Sequence, residues 1–300
     1  MSSPRWRRIL VGPHGLRAGW RLLAFVLVMN VPLTAIQWVV IKFFKVEHVD
    51  FVPGPLILAE AISLAFAAAA TWVMARWEGR SAARYGVAPR PGAGGLFWEG
   101  TLWGILSNGA VIALIAAGGG YTVSGLNVRG AELLTSTALW VLAFLAVSLY
   151  EEVYFRGYPL FTLSTGLGFW PAAVLLSLVF GALHFFLKPN ESWVDGTTVT
   201  LIGLFFCFTI RRTGSIWWAV GWHFSWNWCS MGIFGSPNTA NEGRPIPGHL
   251  LASTFHGSPY LTGGVMGAEA SLWMFPLIAA LFWLVHRRYA EARFPVLVVP

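Results

Sequence analysis

Leu133-Leu134-Thr135-Ser136-Thr137-Ala138-Leu139-Trp140-Val141-Leu142-Ala143-Phe144-Leu145-Ala146-Val147-Ser148-Leu149-Tyr150 carries no charge and runs straight into Glu151-Glu152, with Arg156 four residues after the second glutamate. A hydrocarbon core about 30 Å thick is crossed by about 20 apolar residues of α-helix. The stretch therefore reads as a membrane-crossing helix with two carboxylates at its end. Acidic side chains at bilayer depth are expensive and usually serve something beyond folding.

The rest of the chain agrees. Of 300 residues, 56% are hydrophobic and only 11% charged, and the mean hydropathy is +0.62. A soluble domain carries about 25% charged residues. The composition predicts an all-α, polytopic transmembrane bundle forming one membrane-embedded domain over residues 1–300. Eight spans are expected, at about 22–44, 56–75, 97–117, 133–156 or beyond, 170–187, 198–210, 215–234 and 270–287. Many of the tryptophans and phenylalanines fall near span ends, where aromatic belts form.

Orientation follows from the bases. One side collects Arg5, Arg7, Arg8, Arg17, Arg21, Arg76, Arg80, Arg84, Arg90, Arg211, Arg212, Arg287, Arg288 and Arg293. The other holds Lys42, Lys45, Arg129, Lys188 and Arg244. This bias predicts both termini in the cytoplasm and a bacterial plasma membrane as the location. The run Leu22 to Phe44 is too long for a signal-peptide core and lacks a small-residue cleavage site, so it reads as an uncleaved first span. The net charge of +7 is scattered between apolar runs rather than gathered with aromatics on a soluble face, which excludes a nucleic-acid partner. Cys207 and Cys229 lack CxxC spacing and read as buried thiols. Residues 76–96 read as a cytoplasmic connection and 235–269, rich in Gly, Pro, Ser and Asn, as a long external loop.

Glu152 and Arg156 are i, i+4 neighbours with the acid first, the favourable order for an ion pair on one helix. Glu151 points about 100° away and has no partner on its own helix, which makes it a candidate general base or acid. His184 shares a face with Phe180 in Phe180-Gly181-Ala182-Leu183-His184, and His223 shares one with Asn227 in His223-Phe224-Ser225-Trp226-Asn227. A bundle in lipid turns its polar groups inward, so Glu151, His184, His223 and Asn227 are expected to converge. For their depths to match, the fourth helix must continue to about Thr165, kinked at Pro159. Glu151 then lies ~21 Å from the cytoplasmic end, as His184 does. One carboxylate and one imidazole beside a common water, with a second imidazole and an amide as oxyanion donors, suit amide hydrolysis without a covalent intermediate. Ser225 points off the His223/Asn227 face and is not a nucleophile candidate.

Glu151-Glu152-Val153-Tyr154-Phe155-Arg156 resembles the EExxxR motif of the CAAX protease and bacteriocin-processing (CPBP, or Abi) family. Phe180 to His184 resembles its FxxxH motif and His223 to Asn227 its HxxxN motif, in family order, over about residues 133–230. The resemblance implies a glutamate-dependent intramembrane endopeptidase acting on a membrane-associated peptide or protein. It implies Glu151 and His184 as the water-activating pair, His223 and Asn227 as the oxyanion pair, and Glu152, Arg156 and Phe180 as supports. It implies no cofactor, and a prenylated substrate is not carried over.

Two other readings remain open at this point. Glu151, His184 and His223 could be three zinc ligands with an open position, although there is no HExxH pair. A non-catalytic transporter or immunity protein could also hold a polar intramembrane cluster, with Glu60 in a proton relay. No inverted repeat favours a transporter. Trp218, Trp222 and Trp226 form a stripe that reads as packing. His14, His48, His249, His256 and His286 fall outside the core spans and read as surface residues.

Overall fold

The computed structural model describes residues 10–12, 15–44, 51–88, 92–188 and 192–295. Arg5, Arg7, Arg8, His14, Lys45, His48 and Arg90 lie outside the described residues. The chain is a helix bundle with α1 Ala18–Phe44, α2 Pro53–Trp77, α3 Ala93–Ala117, α4 Gly130–Arg156, α5 Tyr158–Leu167, α6 Phe169–Leu187, α7 Trp193–Thr213, α8 Trp217–Asn227 and α9 Met274–Arg288. Six segments among the described residues are long and apolar enough to cross a membrane: 18–43, 53–77, 93–117, 130–167, 169–187 and 193–213. Every expected span coincides with a helix. However, α8 has 11 residues, extended by a π-helical stretch at Trp228–Ile233, and α9 has 15. Both are shorter than the ~20 residues of a straight crossing. The outer surface is apolar, with Leu58, Trp98, Leu134 and Phe186 exposed, as a lipid-facing bundle requires.

The helix ends are written locally. The two prolines Pro53 and Pro55 open α2, where the missing N–H groups cost nothing. Ser192 caps α7 by accepting from Asp195 N at 3.2 Å, and Gly214 closes that helix at φ 71°. The expected continuation of the fourth helix occurs as two helices. α4 stops at Arg156, Gly157 departs to ψ −123°, and α5 starts at Tyr158 with Pro159 in its first turn. The break falls at Gly157 because Pro159 has no N–H to bond back to the last turn of α4.

Glycines set how closely the helices approach. A Cβ on Gly100 would stand 2.1 Å from Trp218 O, one on Gly104 2.1 Å from Ser225 Oγ, and one on Gly221 2.1 Å from Phe97 O. Small residues at these crossings bring the α3 and α8 backbones together, the packing that helices in lipid use in place of a hydrophobic drive. Gly181 does the same between α6 and α7, where its Cβ would meet Thr200 Oγ1 at 1.9 Å.

The connections are more structured than their composition suggests. Residues 235–269, read as a long external loop, hold a strand and short helical turns. Within this segment Leu251–Phe255 pairs antiparallel with Tyr121–Leu126, a ribbon added to the helices beside a two-residue ribbon of Val11–Gly12 with Gly15–Leu16. Ile246 is fully buried beside Trp140, whose Nε1 donates to Pro247 O at 2.8 Å. Arg21 and Arg80, read as orientation charges, also have a structural partner. Glu78 forms an ion pair with Arg21 at 3.2 Å and accepts from Arg80 at 3.3 Å, from Tyr85 OH at 3.0 Å and from Tyr158 OH, tying α1, α2 and α5 together. His249 is half-buried, its Nδ1 donating to Ile246 O at 2.7 Å, while His256 and His286 are exposed as expected. Cys207 and Cys229 are buried free thiols.

Candidate active site

Arg156 is the fixed point of the site. It is 1% exposed at the end of α4, and its guanidinium donates to Glu152 Oε1 at 3.2 Å. The Phe180 ring lies 4.2 Å from that guanidinium, with Phe155 and Phe206 each at 5.5 Å. A delocalised cation enclosed by aromatic faces is stabilised by about 0.5–2 kcal/mol. Gly203 makes the space, since a Cβ there would sit 2.8 Å from Arg156 Nη2. The ion pair is the one read from the i, i+4 spacing. The aromatic enclosure and Gly203 were not read, because they come from helices distant in sequence.

Glu152 has a second partner. His223 Nδ1 lies 3.1 Å from the same Oε1. A carboxylate only accepts, so Nδ1 carries the proton and Nε2 is turned the other way. His223 Nε2 is 3.8 Å from Glu151 Oε2, too far for a direct hydrogen bond and close enough for one water to touch both atoms. His223 thus stands between two consecutive glutamates of α4, with Phe206 stacked on it at 5.6 Å. Glu151 keeps 22% of its side chain exposed, whereas Glu152 is fully buried.

His184 and Asn227 complete the group. His184 Nδ1 donates to Phe180 O at 2.9 Å, and the Phe180 ring packs on the imidazole at 4.4 Å. His184, His223 and Asn227 line one cavity of about 50 Å³ together with Trp222, Trp226, Thr198, Glu269 and Met274, and Glu151 reaches the group beside His223 rather than in the cavity lining. That volume holds a few waters. The helix containing His223 and Asn227 passes directly into π geometry after Asn227, a local distortion frequent at functional sites. Ser225 faces away, its Oγ donating to Thr101 O and Gly221 O at 2.9 Å each. The imidazole within 4 Å of Glu151 is His223, whereas the sequence pattern paired Glu151 with His184.

Other residues reach the site without a motif to announce them. Glu269 and Met274 come from the segment around the start of α9, and Thr198 Oγ1 donates to Glu269 O at 2.9 Å. Glu60 on α2 interacts electrostatically with Glu151, and its Oε2 is buried without a hydrogen-bond partner among the described residues. Trp218, Trp222 and Trp226 are all buried, and the last two both pack and line the cavity.

Residues 133–229 match the family described as type II CAAX prenyl endopeptidase Rce1-like. The likeness is confined to this segment. It opens just inside α4, closes two residues after Asn227, and contains every motif residue of the site. No curated protein and no solved structure matches the chain. Around the matched segment, α2 brings Glu60 and the α9 region brings Glu269 and Met274 from outside the matched residues. Among the described residues no three His, Cys, Asp or Glu side chains are grouped to hold a metal ion.

Proposed function

We propose that this protein is an intramembrane endopeptidase that hydrolyses peptide bonds of membrane-associated substrates through a glutamate-activated water. The family to which residues 133–229 match is one of endopeptidases. The single observation that carries the reading is His223 bonded through Nδ1 to Glu152 with Nε2 3.8 Å from Glu151, in a cavity shared with His184 and Asn227.

In this reading Glu151 takes a proton from a water held between it and His223, and His184, which lines the adjoining cavity, orients that water. The water attacks the scissile carbonyl. Protonated His223 and the Asn227 amide, one helical turn apart, are the donors for the oxyanion. Glu152 anchors His223 through Nδ1, and Arg156 holds Glu152 in place. The proton held by Glu151 then passes to the leaving amine. No step uses a metal.

The test is cleavage of a quenched-fluorescent peptide library by the purified protein in detergent. Glu151→Gln and His184→Ala are each expected to lose at least about 100-fold in rate, the usual contribution of a positioned acid or base. A chelator is expected to leave the rate unchanged. Full activity in Glu151→Gln overturns the reading, and abolition by chelator with recovery on added zinc replaces it with a metallopeptidase.

A further inference from the structure

The C-terminal ends of α7 and α9 form a second polar centre, whose arginines do not line the candidate active-site cavity. Arg212 donates to Ala290 O and to His286 Nδ1, both at 2.7 Å, and Arg293 N donates to Arg211 O at 2.9 Å. The chain after α9 is thereby folded back onto the end of α7, gathering Arg211, Arg212, Arg287, Arg288 and Arg293 at one end of the bundle. Beside this cluster a cavity of about 520 Å³ opens between α3, α8 and α9, and it shares no lining residue with the candidate active site.

Its walls are apolar: Trp103, Trp218, Leu281 and Leu284. Arg287 and Arg288 line it as well, and both are exposed, so they stand at its mouth. Glu99 is the acid there, 3.5 Å from Arg288, whose side chain is 68% exposed. An ion pair so open to solvent is weak. Arg287 forms no ion pair among the described residues, and the mouth keeps an excess of positive charge. Small anions alone have no need of a wall of tryptophan and leucine. A zwitterionic headgroup would bring its ammonium against guanidinium groups. A molecule with a hydrocarbon chain and a net negative phosphodiester satisfies both halves of the surface, and guanidinium is the side chain best shaped for phosphate.

We propose that this cavity binds one anionic phospholipid, with its phosphodiester held by Arg287 and Arg288 and an acyl chain lying along Trp103 and Leu284. The site is independent of the peptidase reading and is tested without measuring cleavage. The purified full-length protein in mild detergent is incubated with phosphatidylglycerol, with phosphatidylcholine, or with phosphatidylglycerol plus excess inorganic phosphate, and bound lipid is counted by native mass spectrometry. Phosphatidylglycerol is expected to be retained several-fold better than phosphatidylcholine and to resist inorganic phosphate. Arg287→Gln is expected to lower its retention about fivefold, the effect of removing one arginine near an anionic lipid, with phosphatidylcholine unaffected. Leu284→Trp, which fills the cavity, is expected to lower it as well, and melting curves check that both variants are folded. Equal retention of the two lipids, displacement by inorganic phosphate, or undiminished retention in either variant overturns the proposal.

Discussion

His223 Nδ1 and Glu152 Oε1 lie 3.1 Å apart, and the same oxygen accepts from Arg156 at 3.2 Å. One buried carboxylate therefore holds a cation from its own helix and an imidazole from α8. Its neighbour Glu151 has no hydrogen bond among those resolved and keeps 22% of its side chain exposed. Two identical residues in sequence are thus placed for different work.

Glu152→Gln is expected to cost about 3–5 kcal/mol, because it leaves the buried Arg156 charge uncompensated. Glu151→Gln is expected to change the melting temperature little while removing peptidase activity. Differential scanning fluorimetry of both variants separates the two roles. Similar losses of stability would show that the distinction is wrong. The double variant Glu152→Gln/Arg156→Met is expected to recover much of the stability, since an uncharged filler of similar volume replaces the ion pair, but not the activity, since His223 remains unanchored.

Gly203→Ala places a methyl group 2.8 Å from Arg156 Nη2. Overpacking of this kind costs about 1–3 kcal/mol, and here it pushes the guanidinium off Glu152. The expected result is a lower melting temperature together with reduced activity. By contrast, Gly109→Ala on α3, where a Cβ meets nothing within 4 Å, should be neutral.

Phe180→Leu keeps an apolar side chain but removes the ring that lies on both Arg156 and His184. A loss of about 0.5–2 kcal/mol is expected. A fall in activity larger than the fall in stability would mark the ring as positioning His184, and a change in neither would remove Phe180 from the site.

Glu78→Ala strands Arg21, whose side chain is only 5% exposed, and leaves Tyr85 and Tyr158 without their acceptor. The expected cost is about 3 kcal/mol or more, read as early thermal unfolding. A melting temperature equal to that of the unchanged protein would mean that solvent replaces Glu78 without penalty.

Trp140→Phe removes the hydrogen bond to Pro247 O at 2.8 Å. The segment 235–269 then loses about 1 kcal/mol of attachment. Limited proteolysis should cut there several-fold faster, whereas equal cutting would mean that the strand pairing and buried Ile246 secure the segment without this bond.

The hydropathy of the chain and the spacing of Glu151, Glu152 and Arg156 were enough to read a lipid-embedded helix ending in an ion pair and a second acid. Phe180 with His184, and His223 with Asn227, were legible as pairs because residues four apart share a helix face. These are local properties, set by rise and turn along one helix. Which imidazole meets Glu151 is a distance between helices. It depends on α3 and α8 closing together at Gly100, Gly104 and Gly221 and on Gly203 admitting Arg156, contacts between residues far apart in the chain. The stop at Gly157, the folding of 235–269 onto Trp140 and the entry of Glu269 and Met274 into the cavity belong to the same class. Hydrophobic periodicity shows which face of a helix is buried, and only packing in three dimensions decides what that face is buried against.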